Sequence, residues 1–303
     1  MKSIDEFRDC TTKAKKKGGK HNMHISTHTR DSMERDICNY LRVSADELSS
    51  LLIKAGNVAS CEQHFSSIEF DRIITEFIDA RIPTESLDQV LFFHLTRRLN
   101  ESHDDTSGRN LADLLTSSNA VSKFLAAHDV KFVRDCLYLF YKNEFISLES
   151  RHERDALYLR CRLGYDKGYE DYCFNGFLFK DMLYKNSYAR DLFDGPEFIR
   201  GLSAFLRRPD IAMDYSRNST YYCFEYCVPI QKVIFAGNDM MTHDEKQRLI
   251  LNRVLYRLFE YIDSGPQNIN DQGNPILRLL EDDKMNSSHF VSKEIITRDM
   301  LIW

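Results

Sequence analysis

Apolar side chains recur every three or four residues along most of this chain, the spacing that lines one face of an α-helix, and breaks in the pattern are few. The pattern predicts helices at 31–41 and 45–56, then at 66–80, 85–100, 109–127, 129–148, 196–207, 219–236 and 242–263. Their ends are marked. Ser44 followed by Glu47 has the form of a capping box, in which side chains satisfy orphan backbone donors, and Gly56 is read as the close of its helix. Pro83 and the polar run "NESHDDTSGRN" (100–110) separate the periodic blocks. The expected fold class is therefore all-α: a multi-helix globular protein, with the polar run dividing it into two helical domains. The expected organisation is an arm at 1–30, a helical region at 31–105 and an aromatic-rich helical domain at 106–303.

Composition supports a packed core, since 43% of the 303 residues are hydrophobic. Twelve glycines and six prolines leave little material for the dense turns of a sandwich or barrel, which favours helix further. The longest apolar clusters, "VLFFHL" (90–95) and "CLYLFY" (136–141), fall far short of the roughly 20 residues a membrane helix needs, so no membrane span is expected. Charges in "MKSIDEFRDC" occupy the place of a signal peptide's apolar core, which points to the cytoplasm. Eight scattered cysteines lack CxxC spacing and read as reduced, mostly buried thiols. The aromatic stretch 158–188 reads as core, not as a cofactor box, and no cofactor is expected.

Charge changes the picture at one end. Residues 11–42 carry eight Lys or Arg against three acids, +5, while the chain as a whole is −5, so the basic character is local. Within it, "TTKAKKKGGKHNMHISTHTR" (11–30) holds five lysines and three histidines. His21, His24 and His28 have a spacing that would gather three imidazoles on a helix face, but the neighbouring ammonium groups repel a divalent cation, and no metal is expected.

The segment after that arm carries the strongest functional signal. "ERDICNYLRVSADELSSLL" (34–52) places Ile37, Leu41, Val43, Leu48 and Leu51 on inner faces, with the small Cys38 at the point of contact, as two helices joined by a tight turn require. This segment resembles the helix-turn-helix of bacterial DNA-binding regulators, and "LRVSADELSSLLIKAG" is similar to the first such unit of AraC-type regulators. "RNLADLLTSSNAVSKFLAAH" (109–128), with Ala112, Val121 and Leu125, resembles a second unit. The resemblance implies DNA as partner and a homodimer on palindromic sites. Base contacts would come from Ser49, Ser50 and Lys54 and phosphate contacts from Arg42 in the turn, with Lys13, Lys15, Lys16, Lys17 and Lys20 of the arm adding nonspecific attraction.

Two other readings stay open: an all-helical module binding a protein partner, such as an adaptor or a delivered bacterial effector, and an enzyme on a helical scaffold with residues drawn from distant segments. Local motifs give the last no support. "RHERD" (151–155) lacks the other parts of a kinase, "GYDKGYEDY" (164–172) lacks P-loop spacing, and Cys223 and Cys227 have no further ligands to complete a zinc set. Asp104/Asp105 and Asp282/Asp283 read as solvated acids, and 264–283 as an ordinary turn before a helix rather than an ankyrin unit.

Overall fold

A computed structural model describes residues 23–61, 64–133, 137–148, 154–165, 173–235, 238, 240–280 and 283–302. The fold is mixed α/β, which corrects the all-α expectation and, with it, the all-helical module and the helical enzyme scaffold. Three of the expected helices are strands. Residues 85–100 contain β3 (Gln89–Leu99), 129–148 fold into β4 (Val130–Val133), β5 (Tyr138–Tyr141) and β6 (Glu144–Ile146), and 219–236 contain β8 (Ser219–Pro229) and β9 (Ile234–Phe235). The physical reason is burial on both faces. In β3, Val90 and Phe92 enter one core while Leu91, Phe93 and Leu95 enter another, so the strand reads as a continuous apolar run and its period of two is hidden.

The remaining elements, in chain order, are α1 (Arg30–Leu41), α2 (Ala45–Ala59), β1 (Ser60–Cys61), β2 (His64–Phe65), α3 (Ser67–Arg81), α4 (Leu111–Thr116), α5 (Ala120–Ala127), α6 (Arg154–Arg162), β7 (Asn175–Phe177), α7 (Ser187–Asp191), α8 (Glu197–Phe205), α9 (Pro209–Arg217), α10 (His243–Asp263), β10 (Ile276–Arg278) and β11 (Phe290–Ile295). A six-stranded antiparallel sheet in the order β11-β8-β3-β7-β10-β9 is the centre of the molecule, and residues on both sides of 105 contribute to it. Helices α1, α2, α3 and α10 cover one face, and α7 with Leu301 covers the other. A second, smaller core joins α4, α5, α6, α8 and α9 to the three-stranded sheet β4-β5-β6.

Local signals explain the element ends. Thr242 and Glu245 form a reciprocal capping box at α10, and Ser44 accepts from Glu47 N at α2. Lys142 and Asn143 both take positive φ, 52° and 65°, the turn that joins β5 to β6. Arg42, at the α1–α2 turn, has φ 56° and ψ 48°, the left-handed conformation that favours glycine. Gly56 does not end α2, which runs to Ala59. A Cβ there would lie 2.3 Å from the Phe259 ring, so this glycine admits α10. The 109–128 block is split by Ser117–Asn119, with Asn119 capping α5. Residues 264–283 hold the short strand β10 where a helix was expected after the turn.

Candidate active-site cleft

Strands β3 and β7 are paired at a single position, Phe93 with Phe177. Beyond it β3 runs on to Leu99, held along its other edge by β8 in unbroken register, whereas β7 begins at Asn175. The two neighbours part, and a cavity of about 190 Å³ opens beside the far half of β3. A second cavity of about 550 Å³ runs along β7 and β10. Both are lined by Arg162, Asn175, Tyr188 and Glu197, so they are compartments of one cleft. Its floor is the central sheet, and its opposite wall is the smaller core, which contributes Asn119 and Val121 from α5, Arg162 from the last turn of α6 and Glu197 from the first residue of α8. Clefts between two packed bodies are the usual home of small-molecule sites.

His94 marks the point where the strands separate. Its Nδ1 lies 2.6 Å from the Asn175 carbonyl oxygen; a carbonyl can only accept, so Nδ1 carries the proton and Nε2 the lone pair. Burial, and then the nearby Arg98 charge, pull the imidazole down to about 3, so it is neutral. The Phe174 ring lies against it at 4.1 Å.

Among the described residues, Arg97, Arg98, Arg109, Arg162 and Arg278 line the cleft together with the carboxylates of Asp105 and Glu197. Arg97 is built into the scaffold, donating to the Phe193 and Ser216 carbonyls and to Ser219. Arg98 donates to the Ser107 carbonyl at 2.8 Å and lies over the Phe224 ring, and Arg109 faces Asp105 at 3.8 Å. Burial works to raise the Asp105 pKa, but two hydrogen bonds from Ser107, helped by Arg98 and Arg109, hold it below the usual carboxylate range. Glu197 is exposed in the cleft. In the second compartment Phe177 and the exposed Tyr188 pack ring to ring at 6.0 Å, with Ile276 beside them.

Comparison with models of known protein families, with curated proteins and with solved structures finds no match to this chain. The cleft's own chemistry therefore carries the functional argument.

The residues singled out from sequence lie elsewhere. Lys13, Lys15, Lys16, Lys17 and Lys20 fall outside the described residues, as do His21 and most of the "GYDKGYEDY" turn. Arg42, Ser50 and Lys54 are exposed on the outer side of α1–α2, and Ser49 is half-buried beside Arg30 and Glu34. Arg42 pairs with Glu85 at 3.5 Å. Residues 23–27 are not helical, so the spacing of His24 and His28 gathers no helix face, and His28 Nε2 lies 3.0 Å from Glu225. Cys223 and Cys227 sit two strand periods apart on β8, and burial pushes their thiols up to about 12 and about 11.

Sequence reasoning missed the whole cleft set, which is drawn from segments between His94 and Arg278. One signal was present: His94, Thr96 and Arg98 alternate with Leu95 and Leu99, a polar period of two at the end of an apolar run.

Proposed function

We propose that the protein is an enzyme acting on a phosphorylated small molecule that carries a planar ring, of the nucleotide class. The observation that carries this reading is the continuity of the two compartments. Among the described residues they hold five arginines and two carboxylates beside aromatic side chains. Guanidinium groups match phosphate oxygens in bidentate geometry and keep their charge at any physiological pH. Arg98 and Arg109 form one side of the anion site, and Arg162 and Arg278 carry the positive field into the second compartment. Phe177, Tyr188 and Ile276 supply the apolar surface for the ring. Glu197, the one carboxylate common to both compartments, is the acid–base group, and neutral His94 offers its Nε2 lone pair to a donor on the substrate.

The test is calorimetric titration with nucleosides, their mono-, di- and triphosphates and dinucleotides, followed by product analysis. Phosphorylated ligands are expected to bind and their parent nucleosides to fail. Arg162→Ala should lose binding, and Glu197→Gln should keep binding while losing turnover. Equal affinity for nucleosides and nucleotides, or none for either, would sink the reading.

DNA contact through α2 is the weaker reading. Arg42, Ser50 and Lys54 are exposed as it needs, but Asp46 and Glu47 share that exposed surface, with Glu76 and Asp79 on the adjoining α3. Those acids repel phosphate. Duplex DNA titrated at low salt in the same experiment decides it.

A further inference from the structure

Behind the second compartment lies an ionic cluster whose charges do not balance. The Arg257 side chain on α10 is 3% exposed and meets three carboxylates: Asp271, Asp181 at 3.4 Å and Glu260 at 3.1 Å. Asp181 and Asp271 are 1% and 0% exposed, and Glu260 is at the rim. Other polar groups bind the cluster tightly: Tyr261 donates to Asp181 Oδ2 at 2.7 Å, and Asn274 Nδ2 donates to Asp271 Oδ2 at 2.9 Å. The Phe179 ring covers the guanidinium.

The two buried acids belong to the two chain segments that wall the cleft. Asp181 begins the segment that supplies Asn186, Ser187 and Tyr188; Asp271 begins the one that supplies Gln272, Asn274 and Ile276. The segments are tied across by Asn186 Nδ2, which donates to the Asp271 carbonyl at 2.7 Å, and by Asn274, which donates to the Phe179 carbonyl and accepts from Phe179 N.

We propose that this cluster is a proton-operated latch on the cleft: one shared proton lets the wall segments 181–188 and 271–278 close on each other, and its loss drives them apart. One buried guanidinium can neutralise one carboxylate, and the second then stands as an uncompensated charge beside the first in a medium of low dielectric. A proton shared by the pair removes that repulsion, and the pair, not either residue alone, titrates. Burial raises both acids, Asp271 to about 6, which brings the event within reach of ordinary pH changes. The groups that face the pair are Arg257, Glu260 and Tyr261 of α10, with Asn186 and Asn274 from the segments themselves. Farther out, Arg30 of α1 lies over the Tyr261 ring, and Lys185 donates to the Pro266 carbonyl. Among the described groups facing the pair, Arg257 alone brings a positive charge into the buried cluster. The inference rests on the cleft reading only in calling these segments its wall.

The test is amide hydrogen exchange on the full chain without ligand, at pH 5.5 and pH 8, corrected for intrinsic rates. In wild type the peptides covering 179–190 and 268–280 should exchange roughly fourfold faster at pH 8, the factor by which a proton held with a pKa of about 6 favours the closed form at pH 5.5, while those of β3 and β8 hold steady. Asp271→Asn, with Asp181→Asn as the second variant, should be slow at both pH values. Equal corrected rates in wild type, a change spread evenly over β3 and β8, or a pH difference that survives in a folded variant would each overturn the proposal. If neither variant folds, the wild-type contrast decides. Failure of nucleotides to bind would strike the substrate reading and leave this result standing.

Discussion

Gly176→Ala tests the joint on which the cleft depends. A Cβ at 176 would lie 2.4 Å and 2.7 Å from the Phe92 ring and 2.7 Å from the Phe93 carbonyl oxygen. Neither neighbour can yield cheaply. Phe92 is fully buried and stacked on Phe174 at 5.6 Å, and the Phe93 carbonyl belongs to a strand held by β8 in continuous register. The alanine must therefore push β7 off β3 by several tenths of an ångström, and overpacking of this kind destabilises by about 1–3 kcal/mol. The upper half of that range is expected because a backbone atom is among those struck. Chemical denaturation should show a lower midpoint with an unchanged slope, since the surface exposed on unfolding is the same. Gly273→Ala is the matched control: no atom lies within 4 Å of its added Cβ, and a change within about 0.5 kcal/mol is expected. Equal midpoints for the two variants would refute the claim that β3 and β7 approach as closely as described. A second readout follows from Asn175, the neighbour of Gly176 that accepts the His94 hydrogen bond. Displacing β7 should break that bond, and because burial and the Arg98 charge still hold the imidazole neutral, the change expected is loss of the hydrogen-bonded Nδ1 proton resonance rather than a rise in pKa.

Three further outcomes are expected. Arg42→Gly should stabilise the fold by about 0.5–1 kcal/mol, because glycine takes the left-handed conformation at that turn without strain and the Glu85 pair it removes is exposed; a loss of stability would contradict this. At pH 8 iodoacetamide should alkylate the exposed Cys161 well before Cys223 and Cys227, whose thiolates are suppressed by burial, and peptide mass mapping reads the order. The Asp181–Asp271 pair, with Asp271 raised by burial from 3.8 to about 6, keeps one proton in the folded chain over a window where the unfolded chain has released it. Its contribution is therefore full below about pH 4 and is lost as pH rises through 6, so denaturation midpoints should fall across that window in wild type and flatten in Asp271→Asn.

The helices were legible where burial is one-sided. α1, α2, α3, α8 and α10 show an apolar stripe against a polar face, with Thr, Ser or Asn before several of them, and each forms close to its expected span. The strands were not legible, for the same physical reason. β8 presents Tyr222, Phe224 and Tyr226 to one core and Tyr221 and Cys223 to another, so residues 221–224 run apolar without a break and neither period stands out. Two cues argued for strand: the density of aromatic residues in "STYYCFEYCVP" and the Lys-Asn turn before Glu144. The cleft was illegible because it is assembled by topology. Arg98, Arg162, Glu197 and Arg278 become neighbours only after four separate segments have docked.

That assembly also explains why the polar stretch 100–110 matters to the site rather than merely joining its parts. Gly108 exchanges both backbone hydrogen bonds with Met285, the Thr106 carbonyl accepts from Tyr226, and the Ser107 carbonyl accepts from Arg98. A segment whose composition suits solvent is thus fastened to the sheet at two points and to the 285 segment at a third, and it carries Asp105 and Arg109 into the cleft wall. Its glycine is required by the same logic as Gly176, since a Cβ at 108 would strike the Phe174 ring that packs on His94. Two glycines therefore set the positions of the two aromatic rings, Phe92 and Phe174, against which the separated strands rest. The polar residues of the far half of β3, His94 and Arg98 among them, are held open to the cleft by that packing, and Asp105 and Arg109 join them there from the 100–110 run.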